Sequence, residues 1–398
     1  VTTTTTKKVT LLIASETGGY GVDPSANGSG YVAARVFGGT TPMLKRTRPP
    51  LETDYATGRN APTAHDVGPD GAELQFETPL MGFATSKTAG QAAPANDWQD
   101  ILWDSAFGAN TNYAGMAVTS SGNTELTTGT STATTQDLLC VQDAAVNSTR
   151  AQWRQATTSA SPYTIDHAWD ANPTATAVAY GIKMWRLLDS TGGGYSIAAY
   201  YVLDGTPYTL LGGRPTALKI IMAAGKQVRC QWTVKFDNCT QTSKASAPVV
   251  SAWTGTPIVG DLASVEWGGT AYDAKELELD FALQASDQES VQGTNGRANI
   301  EVLGSAPVVT LSPLFATSWD TDYHAGTTRS VGIRFGSGVL TSGALNTCGF
   351  FAQLGQIIQA PELQDDNARV RQSVRIAARD PGIFTGTTAG RFWQFARA

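Results

Sequence analysis

The stretch that most constrains this 398-residue chain is residues 218–239, LKIIMAAGKQVRCQWTVKFDNC. Within it, Val228, Cys230, Trp232, Val234 and Phe236 alternate strictly with Arg229, Gln231, Thr233 and Lys235. A period of two is what a β-strand shows when one face is buried and the other is polar. Residues 218–224 form a second strand-like run, and Ala224-Gly225-Lys226 supplies the turn between the two. Upstream, residues 196–203 and 208–211 flank Asp204-Gly205, a strong hairpin signal. Four consecutive strands with tight turns predict an antiparallel meander whose apolar side needs a cover.

The length allows two ordinary domains with their own cores. With 41 glycines and only 16% charged residues, the composition suits a β-rich chain with many turns. No apolar run approaches a membrane span, and with a net charge of -6 nothing suggests a basic nucleic-acid binder in the usual sense. Residues 1–8, VTTTTTKK, read as a mobile arm or extended edge segment, with no signal peptide. Cysteines stand at 140, 230, 239 and 348 without a CxxC pair, and Cys230 falls on a buried-facing strand position. Reduced thiols and assembly in a cytoplasm are expected.

Strands are predicted over residues 8–14, 30–37 and 71–84. Between them, residues 40–70 carry five prolines, a basic cluster (Lys45, Arg46, Arg48) and then acids (Glu52, Asp54), without sustained periodicity. Residues 96–108 give the clearest helix, with Asn96 as cap, Gln99 at the capping-box position and Gly108 at its end. Residues 110–173 read as a surface excursion with one strand near 138–141. A polar linker at 240–247 suggests a first domain over 1–242 and a second over 243–398. In the second, strands are expected at 277–283, 297–303, 308–311, 330–335, 349–358 and 369–377. Ser312-Pro313 is expected to open a helix over 314–323. Both halves thus order strands, one short helix, and a meander ending in an amphipathic strand.

No P-loop, HExxH, GxSxG or dinucleotide fingerprint is present, and His65, His167 and His324 lack ligand spacing. Glu276, Glu278 and Asp280 could be assembled into a glycosidase-like set, but alternation puts them on the polar face of one strand. No catalytic, cofactor or metal residue is assigned, and no enzyme activity is expected.

Residues 76–82 (FETPLMG), the helix ending Ala106-Phe107-Gly108, residues 201–205 (YVLDG), 211–214 (LGGR) and the strand pair 218–236 together carry a resemblance. In order and spacing they resemble the major tail tube protein of long-tailed (siphovirus-type) bacteriophages, over residues 71–239. The resemblance implies a mainly β fold, here two antiparallel β-sandwich or barrel domains of tail-tube type, each with one short flanking α-helix. It implies a structural virion protein, made in the host cytoplasm, whose rings stack into the conduit for DNA. Its partners would be copies of itself, the tape measure protein and passing double-stranded DNA in the lumen without specific binding, and tail terminator and tip proteins at the ends. A virion surface or receptor-binding β-protein and a carbohydrate-active β-sandwich enzyme are the alternatives.

Three expectations follow for this chain. Residues 40–70 are expected to be an inter-ring arm, with no equivalent in the second half. Arg369, Arg371 and Arg375 are expected to pair between subunits with Glu276, Glu278 and Asp280 rather than line a channel. Three chains, each with two tube-like halves, are expected to close one pseudo-sixfold ring, in preference to a hexamer.

Overall fold

The alternation over 229–236 builds the centre of one long antiparallel sheet. The structure, a computed structural model, describes residues 9–16, 18–24, 30–37, 42–47, 50–51, 66–67, 71–82, 97–108, 111–129, 133, 137–143, 151–159, 161–175, 177–180, 182–186, 195–203, 205–241, 256–260, 263–291, 297–339, 345–367, 369–380 and 392–398. Strand Arg229–Phe236 buries Cys230, Trp232, Val234 and Phe236. It pairs with Gly71–Pro79 on one side and Thr206–Ala223 on the other. Across the sheet the strands run Met43–Thr47, Gly71–Pro79, Arg229–Phe236, Thr206–Ala223, Ala274–Asp280, Val308–Pro313, Arg369–Ala378 and Glu362–Asp366. Every neighbouring pair is antiparallel. The chain is mainly β, with two helices among the described residues, α1 (Trp98–Phe107) and α2 (Thr317–Ala325). Neither is long and apolar enough to cross a membrane.

The apolar face of the sheet packs against α1 and a second layer of strands. Leu11, Ile13, Ala199 and Tyr201 of Val9–Ser15 and Ile197–Leu203 share one core with Leu74, Phe76, Trp232 and Val234. Trp103 of α1 is fully buried at its centre, 4.3 Å from the Phe395 ring, 5.5 Å from Trp232 and 5.8 Å from Phe281. The core therefore joins residues from both halves. Asp97, not Asn96, caps α1, and Asp100, not Gln99, completes the capping box. Gln99 instead turns inward and accepts from the Met81 N–H at 3.3 Å. A carboxylate caps as well as an asparagine amide does and also favours the positive end of the helix.

Pairings follow the same order in both halves. Val9–Ser15 lies between Val32–Ala33 and Ile197–Leu203, as Ser264–Trp267 lies between Thr270–Tyr272 and Thr328–Val339. The hairpin Met43–Thr47/Gly71–Pro79 precedes α1, and Ala274–Asp280/Val308–Pro313 precedes α2. Each helix buries one tryptophan completely, Trp103 or Trp319. Each half then closes with a strand that pairs back onto the strand before its helix. Aligning the last pairs of the two hairpins, Thr47↔Gly71 with Asp280↔Val308, places Phe236 on Ile376. RCQWTVKF then lies over RVRQSVRI, matching Arg229 with Arg369, Thr233 with Ser373, Val234 with Val374 and Lys235 with Arg375.

Several expectations need correction. Residues 208–211 and 218–224 are not separate strands but parts of the 18-residue strand Thr206–Ala223. Glycine keeps it continuous: Gly212 has φ +67, and a Cβ on Gly213 would lie 2.3 Å from the Phe236 ring. Pro215, which has no N–H to give, sits at a bulge. Ser312-Pro313 ends a strand; α2 starts four residues later at Thr317, and Gln372 Oε1 accepts the N–H of its N-cap residue Ala316 at 3.0 Å. Of residues 30–37, only Val32–Ala33 is strand. The excursion at 110–173 holds most of a six-stranded sheet with its own core of Met116, Leu139, Val141, Trp153 and Tyr163. The second half does have an arm counterpart. Hairpin Leu283–Glu289/Arg297–Ser305 interrupts its leading strand pair where Pro50–Leu51/Asp66–Val67 interrupts the first. An unanticipated strand, Trp393–Arg397, pairs with both Leu345–Ile357 and Lys183–Trp185. The suggested division at 242/243 lies outside the described residues, as do residues 1–8, and strands on either side of it share the sheet from Lys219↔Asp280 to Ala223↔Glu276. None of the four cysteines is in a disulfide, and all are buried.

Candidate assembly surface

Because each strand has period two, register carries polar side chains into rows on the face away from the core. One row runs Glu77, Gln231, Lys219, Asp280. A second runs Arg229, Ile221, Glu278, Thr310, Arg375, and a third Lys45, Glu73, Lys235. Opposite charges meet across strands. Gln231 Nε2 and Arg229 Nη1 donate to Glu77 at 2.7 and 3.2 Å. Lys219 Nζ lies 2.9 Å from Glu278 and 3.1 Å from Asp280, and these hydrogen bonds push the lysine up. Lys235 Nζ reaches Asp287 of the second hairpin at 2.7 Å.

The acidic and arginine strands share this one face within a single chain, separated by Val308–Pro313. Lys219, rather than an arginine, holds Glu278 and Asp280, while Glu276 stands exposed opposite Ala223. Arg371 Nε donates to Asp366 at 2.8 Å and its Nη1 to the Ser312 carbonyl at 3.1 Å. Arg369 is opposite Asp366, and Arg375 lies two strands from Glu278 in the same row. Lys45 and Arg46 are exposed on Met43–Thr47; Arg48, Glu52 and Asp54 lie outside the described residues.

The two edges of the sheet differ in charge. Among the described residues, Met43–Thr47 pairs only with Gly71–Pro79, and its side chains include Lys45 and Arg46. Glu362–Asp366 pairs only with Arg369–Ala378 and carries Glu362, Asp365 and Asp366. Hydrogen bonds from Lys275 and Arg371 hold the Asp366 carboxyl below its ordinary range. A groove beside the basic edge is lined by Met43, Arg46, Phe76, Glu77, Tyr201 and Trp232 among the described residues.

Two polar clusters, one buried and one half-buried, had no local sequence signal. Arg397, fully buried, binds Asp97 and Asp100, each at 2.6 Å, and Lys183 also donates to Asp100. Burial pushes Asp100 up; for Asp97 burial is again the largest single effect, but the Arg397 charge, the hydrogen bonds from Arg397 and the Asp100 N–H and the Lys183 charge together outweigh it and hold the carboxyl down. His167 bridges Asp166 at 2.5 Å and Glu266 at 2.6 Å, pinning the inserted sheet to the second half. Burial alone would lower its pKa, but the two carboxylate hydrogen bonds raise it to about 9. No known protein-family model and no curated protein matches this chain.

Proposed function

We propose that this chain is a structural subunit that closes into rings with copies of itself, the rings stacking into a hollow tube of the phage-tail kind. The observation that carries this is the eight-stranded sheet, with one face bearing rows of polar side chains and, among the described residues, two outer edges of opposite charge. An edge strand is a template for another chain, and two such edges, as the described residues of this sheet present, are served by pairing with each other in neighbouring copies. Unlike edges give a head-to-tail contact, which forms a ring when the rotation closes. Three chains of eight strands give about 24 strands, and at about 4.8 Å spacing and about 45° tilt these enclose a barrel about 50 Å across. The duplicated strand order favours three chains in a pseudo-sixfold ring. A polar face on which Lys219 and Arg229 are already matched by Glu278, Asp280 and Glu77 within the sheet offers DNA fewer of the counterion-releasing contacts that would hold it. The tape measure protein would occupy the same lumen before DNA, with terminator and tip proteins at the ends. Assembly would take place in the host cytoplasm and the product would reside in the virion.

Negative-stain imaging of the purified chain, with mass measurement of single rings, tests this. Hollow tubes built from three-chain rings are expected. A chain that stays monomeric at all concentrations refutes the proposal and leaves a monomeric β-protein of the virion surface.

A further inference from the structure

We propose that the ring-closing contact, within the assembly proposed above, is an antiparallel pairing of Met43–Thr47 of one copy with Glu362–Asp366 of the next. The register is set by the internal junction between the repeats. In the aligned halves, Trp232 falls on Gln372, so its partner Leu218 falls on Leu363, the partner of Gln372. Glu362–Asp366 is therefore the counterpart of the part of Thr206–Ala223 that joins the second half. Likewise Met43–Thr47 is the counterpart of Ala274–Asp280. Inside the chain these two types of strand meet as Lys219↔Asp280, Ile220↔Leu279 and Ile221↔Glu278. Transferring that register to the two outer edges puts Gln364 opposite Thr47, Asp365 opposite Arg46 and Asp366 opposite Lys45.

Two independent features support this junction. The first is charge: the transferred register sets both basic residues of one edge against the two aspartates of the other, although no charge entered the alignment. The second is exposure. Leu218 and Cys230 are buried at 0% and 1%, while their counterparts Leu363 and Val370 are exposed at 65% and 51%. Phe315 stands beside them, its N–H bonded to the Val370 carbonyl, and is exposed at 51%. The internal junction covers the first pair; the same junction with a second copy would cover the others. The acidic edge thus carries an apolar patch where the repeat predicts a buried position.

Register is read by cysteine pairs. In-register neighbours have Cα atoms about 4.5–5.5 Å apart, within disulfide reach, whereas positions two residues off are about 7–8 Å apart. A Thr47→Cys/Gln364→Cys chain should give, on mild oxidation, a covalent ladder that stops at the closed ring. Thr47→Cys/Glu362→Cys should not. Independently, Arg46→Glu should raise the concentration needed for assembly at least about tenfold, since like charges at a contact are strongly unfavourable. Adding Asp365→Arg should restore it, which a folding defect would not allow. Rings or tubes that form while the Thr47/Gln364 chain stays unlinked would overturn this pairing and leave the tube proposal standing. Cross-linking into open chains without rings would support the pairing and refute the tube. An unassembled, unlinked monomer would overturn both.

Discussion

Replacing Arg397 by alanine should destabilise the unassembled chain by about 3 kcal/mol, the lower end of the about 3–5 kcal/mol expected when one partner of a buried ion pair is removed. Arg397 and Lys183 balance Asp97 and Asp100 in the native cluster. Removing Arg397 leaves two carboxylates with one cation, and the Met81 carbonyl loses the Arg397 Nε donor at 2.9 Å. The Asp97 side chain is 34% exposed and that of Asp100 only 1%. The surplus charge therefore settles on Asp97, which water can reach, and Asp100 keeps Lys183. Unfolding entropy of about 2.1 cal/mol/K per residue gives about 0.8 kcal/mol/K for this chain, so Tm should fall about 4 °C. Arg397→Met combined with Asp97→Asn should recover more than half of the loss, because asparagine still caps α1 while the net buried charge returns to zero. Urea unfolding followed by tryptophan fluorescence measures both variants. A loss below about 1 kcal/mol for Arg397→Ala, or simple addition of two losses in the double variant, would refute the charge-balance account.

His167 links stability to pH. Its folded pKa, about 9, stands above the unfolded value of about 6.5, so its contribution is complete below about pH 6.5 and disappears as pH rises through about 9. Thermal melts should show a decline over that window that is flattened in His167→Gln; an identical pH profile in the variant would contradict the bridge to Asp166 and Glu266. Trp103→Ala should cost about 3–5 kcal/mol by chemical denaturation, since the ring is fully buried among aromatic side chains of both halves. Deleting residues 52–65, which spares Met43–Thr47 and both two-residue arm strands, should leave a folded chain whose rings no longer stack. Normal tubes from that deletion would remove residues 40–70 from any inter-ring role.

The β class, the alternation over 229–236 and the existence of two short helices were legible because they depend on periodicity over a few residues. So was the duplication in outline, but its residue-level match was hidden. RCQWTVKF and RVRQSVRI share Arg, Thr/Ser, Val and Lys/Arg at fixed positions, yet Trp232 and Gln372 differ so much in volume and polarity that only the register pairs them. The six-stranded insertion escaped notice because its strands are two to six residues long, too short for a period to show. Trp393–Arg397 is buried on both faces, so it has no alternation to read. The Arg397 cluster joins positions almost 300 residues apart in the sequence, and nothing around Asp97 or Asp100 identifies their partner. Both edge strands could be read as charged segments, but their status as edges belongs to the sheet alone.

The strand Thr206–Ala223 has a mechanical consequence. At about 3.3 Å per residue its contour is about 60 Å. Its first part pairs with Ile197–Leu203 in one layer and its last part with Arg229–Phe236 and Ala274–Asp280 in the other. In the first half, sliding one layer over the other must therefore stretch a continuous hydrogen-bonded backbone. In the second half the same path is divided into Leu345–Ile357 and Glu362–Asp366, with residues 358–361 between them. Two repeats with the same pairing order are thus unequal springs, one stiff in shear and the other provided with a short flexure beside the acidic edge.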